Sequence, residues 1–123
     1  LPPNENSGNF GDRQAAALLG SILMTYDDSF AVSSPVGKFP PNHRKLYDLG
    51  GNVAEWMNDY YGIKTGLSLK AELNPMGPIQ GDFHVIRGSS WAHATMTDLR
   101  LSFRDYSNDA RNDVGFRIAR FIE

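Results

Sequence analysis

The chain has 123 residues, an apolar fraction of 41%, a charged fraction of 21% and a net charge of −2. These values suit one globular domain and exclude a strongly basic nucleic-acid or membrane-surface binder. With no cysteine at all, disulfides, thiolate nucleophiles and Cys-based zinc sites are excluded as well.

The opening stretch LPPNENSGNFGDR (1–13) reads as loop, from its Pro, Asn and Gly content. It carries no signal-peptide pattern, and a chain that begins at Leu1 rather than Met reads as a piece of something longer. QAAALLGSILM (14–24) suits a short helix or an irregular segment, and contains the most apolar run, too short to cross a bilayer. TYDDSFAVSSPVGKFPPN (25–42) reads as turn, short strand, turn, with Pro35, Pro40 and Pro41 barring regular helix.

VAEWMNDYY (53–61) is the best helix candidate, because Val53, Trp56, Met57 and Tyr60 fall at helical spacing. Asn52 would cap it, with Glu55 in the capping-box position. Residues 62–82 form a long loop. FHVIRGSSW (83–91) reads as a strand running into a Gly-Ser turn, and LRLSFRDY (99–106) as a further strand. SNDARNDV is a polar turn and GFRIARFIE a terminal strand. Trp56 and Trp91 are expected in the core. Many short strands, few helices and much loop make one α+β domain over residues 1–123.

Acids beside aromatic rings need partners, because an unpaired buried carboxylate is costly. Asp48, Glu55 and Asp59 all lie near Trp56, Tyr60 and Tyr61 in sequence, and a cation, an arginine or backbone N–H groups would serve. Asp59 reads as a solvated acid. Arg87, Arg100, Arg104, Arg111, Arg117 and Arg120 stand near Asp98, Asp105, Asp109 and Asp113, and read as ion pairs bracing an irregular fold. An anion-binding groove is the functional counterpart.

SPVGKFPPNHRKLYDLGGNVAEW (34–56), DYYG (59–62), VIRGSSW (85–91) and DVGFRIAR (113–120), in that order, resemble the C-terminal half of the formylglycine-generating-enzyme, or sulfatase-modifying-factor, domain family. GNF (8–10) and YDDSFAVSSPVG (26–37) also fit. The resemblance implies an irregular fold related to C-type lectins. It also implies that the N-terminal half of the domain is missing, so the domain is incomplete and an exposed apolar face should seek a partner.

Active members of the family hold copper with two cysteines after the Gly-Ser-aromatic turn, since soft thiolates suit Cu(I). This chain has His93 near the first of those positions, and Thr97 or Asp98 near the second. One imidazole and one carboxylate do not make a dithiolate centre, so the chain should not convert cysteine to formylglycine. His43, His84 and His93 offer no ligand pair by spacing.

The resemblance further implies structural calcium at two places. At the first, Asp48 and Glu55 would contribute side chains, and Gly51 and Val53 backbone carbonyls. At the second, Asn9 and Asp28 would contribute side chains, and Phe10 and Phe30 carbonyls. Calcium's demand for six to eight oxygens suits such turns. The simpler reading leaves Glu55 as a capping residue and Asp48 as a turn former.

Together these readings describe a non-catalytic binding or assembly module, a pseudoenzyme of bacterial type. Its partner would be a protein or the missing half of the domain, with a homo-oligomer among the forms allowed, and with neither nucleic acid nor membrane insertion. The resemblance leans to a periplasmic or cell-envelope location. The alternative is a metal-dependent oxidase or hydroxylase whose remaining groups lie in the missing region or a partner chain, with His93 and Asp98 lining the pocket. A third reading is a display protein diversified in the loops of residues 92–112.

Overall fold

A computed structural model describes residues 3–63 and 73–120. Its regular elements are a 3-10 turn at Arg13–Ala15 and four strands: β1 (Ala54–Tyr60), β2 (His84–Arg87), β3 (Asp105–Ser107) and β4 (Val114–Gly115). They form a single sheet in the order β3-β2-β1-β4. β1 with β2 and β2 with β3 are antiparallel, whereas β1 and β4 are parallel. Trp56 stands opposite Ile86, Tyr60 opposite His84, and the ladder between them is irregular. This irregular α+β architecture with few helices is the one expected.

The predicted helix at 53–61 is a strand. Its side chains do have helical spacing, but the flanking chemistry belongs to a sheet. Asn52 has φ +64, a left-handed conformation that no N-cap adopts. Its side-chain oxygen accepts from Ser34 N–H rather than from the next turn, and its own N–H goes to Asn9 O. Glu55 cannot close a capping box because Arg117 holds its carboxylate. Pairing on both sides of β1 overrides a weak local preference.

Two smaller expectations also change, and the 14–24 segment takes the irregular of its two readings. Leu99–Ser102 lie in turns, closed by bonds such as Phe103 N–H to Arg100 O, and only Asp105–Ser107 pair as β3. The terminal strand shrinks to Val114–Gly115, and residues 116–120 are exposed beyond it, while 121–123 lie outside the described residues. The 14–24 segment is a 3-10 turn followed by further turns, tied back by Leu23 N–H to Gly11 O. Trp91 is buried and Trp56 only half-buried.

Among the described residues the buried side chains divide evenly, eight apolar and eight polar. Oil alone therefore does not hold the centre. Phe10, Tyr26, Ala54, Val85, Ile86 and Trp91 supply apolar contact, and Asn9, Asp12, Asp28, Asn52, Ser90 and Asp113 bond the loops to one another. Buried polar groups of this kind must be satisfied, since each one left open costs about 1–3 kcal/mol.

Gly51 marks the tightest point. Its φ is +87, and a Cβ there would lie 2.7 Å from Asn9 O and 3.0 Å from Asn9 N. Gly37 also has positive φ (+70), but a Cβ there would come no nearer than 3.7 Å to the Tyr47 ring. Gly37→Ala should cost about 1–2 kcal/mol, the left-handed penalty alone. Gly51→Ala should cost about 3 kcal/mol or more, because backbone must also move. Urea unfolding of the two variants checks the order, and equal losses would refute the close-approach account.

Candidate functional site

The first predicted ligand set lies where the 46–53 turn meets β1 and β4. Here Arg117 acts as a clamp. Its Nε donates to both Glu55 oxygens, at 2.9 and 2.8 Å, and its Nη2 donates to Glu55 Oε1. Nη1 and Nη2 also donate to Tyr47 O at 3.1 Å, and Nη2 to Asp48 O at 3.2 Å. Asp48 Oδ2 accepts from Gly37 N–H at 2.8 Å. The Glu55 charge is thus already matched by a guanidinium, and a calcium ion there would have to displace it. The acid near Trp56 has an arginine for its partner.

The second set, Asn9, Phe10, Asp28 and Phe30, is brought together around Asp28. Phe10 N–H donates to Asp28 Oδ2 at 2.8 Å, and Phe30 N–H to Oδ1 at 2.9 Å. Asp28 N–H donates in turn to Asp12 Oδ2 at 2.5 Å. Asp12 Oδ1 also accepts from Gln14 N–H and so starts the 3-10 turn. Burial pushes the Asp28 carboxyl up to about 6, the neighbouring Asp12 and Asp27 carboxylates add to this, and its two backbone bonds oppose it. Asn9 donates through Nδ2 to Val32 O, but its Oδ1 is buried and has no partner among the described residues. A polar depression of about 510 Å³, lined by Asp27, Asp28, Thr25 and Lys38 among others, opens beside Asp28 to solvent.

These two sets differ in their fit to calcium. Among the described residues the Asp28 set has a carboxylate with no ion-pair partner and an orphaned buried amide oxygen, which suit a hard cation. The Glu55 set has its charge neutralised. Among the described residues no three His, Asp or Glu side chains converge on one point, so any calcium here depends on carbonyl and amide oxygens.

The third region is the loop after β2. Ser90 Oγ donates to Asp113 Oδ2 at 3.0 Å and accepts from Ala92 N–H. Arg111 grips Asp113 through Nε and Nη2, both at 2.9 Å, and Asp105 through Nη1 at 2.6 Å. Burial pushes Asp113 up, but Arg111, Ser90 and His93 outweigh it and hold the carboxyl below its ordinary value. His93 Nδ1 accepts from Ser90 N–H at 3.1 Å. Asp98 is occupied elsewhere, accepting from Thr95 Oγ1 at 2.6 Å. The two residues at the predicted copper positions therefore answer to separate local partners.

Arg87 donates to Phe103 O and Leu101 O, both at 2.7 Å, and Arg104 lies over the Tyr61 ring. Among the described residues Arg111 pairs with the expected acids, Asp105 and Asp113, while Arg87, Arg100 and Arg104 brace backbone carbonyls instead. The Arg117–Glu55 pairing was not anticipated, since 62 residues separate the two and no local spacing signals it.

The family model described as "Sulfatase-modifying factor enzyme 1-like domain" matches residues 3–122. The chain belongs to this family. Its sulfatase-modifying-factor sequence is similar to Serine/threonine-protein kinase pkn1 of Chlamydia pneumoniae, 38% identical over 95 residues, covering 75% of this chain and 15% of that protein. It is 39% identical over 102 residues to Formylglycine-generating enzyme of Mus musculus, covering 80% of this chain and 27% of the enzyme. A mouse relative named Inactive C-alpha-formylglycine-generating enzyme 2 is 33% identical over 102 residues, covering 76% of this chain and 28% of that protein. The fold is shared with PvdO from Pseudomonas aeruginosa, with a TM-score of 0.67, 24% identity, and coverage of 90% of this chain and 38% of that one. The chain thus spans less than a third of the length of these curated relatives. The family contains enzymes and a relative named inactive.

The raised Asp28 carboxyl has a definite sign in the pH dependence of stability. A carboxyl raised from 3.8 to about 6 on folding makes the folded state bind the extra proton between those values, so its contribution is fully present below pH 3.8 and lost as pH rises through about 6. In calcium-free buffer, the melting-temperature advantage of the parent over Asp28→Asn should therefore shrink from pH 4 to pH 6.5 and then level. A gap constant with pH would refute the assignment.

Proposed function

We propose that this chain is a non-catalytic sulfatase-modifying-factor domain, a binding or assembly module with calcium at the Asn9–Phe30 set. The observation that carries the reading is the absence of any thiol in 123 residues. Copper-dependent oxidation of cysteine needs soft ligands, and His93 and Asp98 are spent on Ser90 N–H and Thr95 Oγ1 instead. A chain can keep a scaffold while losing chemistry, because fold and site are separable.

The module's ligand is a protein or another extended polypeptide surface. The loops after Trp91 and over residues 105–113 present it with Asp, Asn, Ser and Tyr side chains, carried on a braced scaffold. The neighbouring segment from Arg111 to Asp113 is fixed by its salt bridges, so the display is preorganised.

The test of the non-catalytic reading is direct. Copper-loaded protein, given oxygen, a thiol reductant and a cysteine-containing sulfatase peptide, should leave no aldehyde that an aminooxy reagent can trap. Trapped aldehyde above the metal-free control would overturn the reading.

Calcium is tested independently by thermal unfolding followed through tryptophan fluorescence. Calcium should raise the melting temperature with concentration as mass action requires, and a chelator should remove the rise. Asp28→Asn should abolish the calcium shift, while Glu55→Gln lowers stability but keeps it. The shift should weaken below about pH 6, where the Asp28 carboxyl must give up its proton to bind a cation. No shift at pH 7.5, or one lost in Glu55→Gln alone, would remove calcium from the Asp28 set.

A further inference from the structure

Two buried acids are joined by a hydrogen bond in the polar centre of the molecule. Asp12 is 0% and Asp28 7% exposed. Asp28 N–H donates to Asp12 Oδ2 at 2.5 Å, so the side chain of one acid is fastened to the backbone of the other. Asp12 Oδ1 accepts from Gln14 N–H, and the Asp28 carboxylate accepts from Phe10 and Phe30 N–H. All four of these donors are neutral backbone groups.

Asp27 shows the contrast. It is exposed, and Arg13 donates to its Oδ2 at 3.0 Å. Among the described residues neither Asp12 nor Asp28 has an ion-pair partner. The one arginine bonded to these three acids therefore serves the outermost of them. Backbone N–H groups hold a carboxylate in place, but they do not cancel its charge, and a buried charge without a counter-charge is costly. Two neighbouring ones also repel each other. A divalent cation answers both costs at once.

An independent observation points the same way. Asn9 Oδ1 is buried without a partner, one residue before the Phe10 N–H that Asp28 holds. It is a neutral oxygen of the kind calcium takes alongside carboxylates.

We propose that Asp12 is a positioning residue of the calcium site at the Asn9–Phe30 set, holding Asp28 by its backbone N–H and supplying the site's second negative charge. The assignment rests on calcium binding at that set. It adds an acid that gives the cation no ligand atom. Both Asp12 oxygens are engaged by N–H donors, and Asp12 does not line the depression through which Asp28 meets solvent. Its charge acts from behind Asp28, and the number of charges at a site is one of the factors that set calcium affinity.

Calorimetric titration of the full chain with calcium at pH 7.5 tests this, together with thermal unfolding in calcium and in chelator. Asp12→Asn preserves the size of the side chain and removes its charge. It should weaken calcium binding by about 10- to 100-fold, the range for loss of a partner that orients a metal ligand. It should also lose more melting temperature in calcium than in chelator, because without the cation the variant is relieved of a repulsion. Unchanged affinity, or equal losses in the two conditions, would reduce Asp12 to a brace for the 3-10 turn and overturn the proposal. A parent with neither binding heat nor a calcium-dependent melting temperature would instead remove the calcium reading itself, and this assignment with it. Should Asp12→Asn not fold, nuclear magnetic resonance of the parent decides. The Gln14 amide, which donates to the other Asp12 oxygen, should shift with calcium along the same isotherm as the Phe30 amide on Asp28. A Gln14 amide unmoved while that of Phe30 shifts would overturn the role of Asp12.

Discussion

Everything in this fold converges on one buried asparagine in a left-handed turn. Asn52 is 3% exposed and has φ +64. Its N–H donates to Asn9 O at 2.7 Å, its side-chain oxygen accepts from Ser34 N–H at 2.9 Å, and its carbonyl accepts from Trp91 N–H at 2.8 Å. Next to it, Gly51 N–H donates to Ser89 at both its carbonyl and its hydroxyl. Three segments distant in sequence (the 8–10 loop, the 32–34 segment and the 89–91 turn) are thus held by two residues at the entrance to β1. In a chain with so little regular structure, such bonds replace the ladders that a larger sheet would supply. The left-handed geometry is what lets one residue aim its donor and its acceptors in three directions, and asparagine tolerates it better than most residues.

Around that hub the arginines do the second share of the bracing. A planar fork can satisfy a carboxylate and loop carbonyls at once, and Arg117 does so across β1, β4 and the 46–48 turn. Arg111 similarly joins β3 to the buried Asp113, and Arg87 caps two carbonyls of the 101–103 turn. These pairs are partly exposed, so each contributes modestly as a charge pair. Their larger effect is geometric, because loop carbonyls without secondary-structure partners gain donors.

The resemblance of LYDLGGNVAEW, RGSSW and DVGFRIA to a known domain made the family and the irregular α+β class legible before any coordinates. The Gly-Ser turn and strand β2 were legible from local alternation, since Val85 and Ile86 lie in a short apolar run bounded by turn residues. β1 was not, because Val53, Trp56, Met57 and Tyr60 satisfy a helical spacing by coincidence while a bulged ladder breaks the strict alternation of a strand. Leu101 misled in the opposite way, since it alternates like a strand residue yet is exposed in a turn. The Asp28 cluster could be named only through the resemblance. That Arg117 meets Glu55 could not be read at all, as nothing local links residues so far apart in sequence.

Bracing and the turn after Trp91 draw on largely different residues, and this has a consequence for what such a domain can vary. Asn52, Gly51 and Arg117 hold the scaffold from the β1 entrance, whereas residues 92–98 form a surface turn closed by short-range bonds such as Thr95 to Asp98 and Ser90 to His93. Side chains in that turn can therefore vary without touching the Asn52 and Gly51 bonds of the hub. Among the described residues Ser90 and His93 link the two, since the Ser90 hydroxyl reaches Asp113 and the His93 carbonyl accepts from Gly11 N–H, beside the 8–10 loop. A domain built this way can vary that turn and still hold its other loops rigidly, because the scaffold is fixed from the β1 entrance.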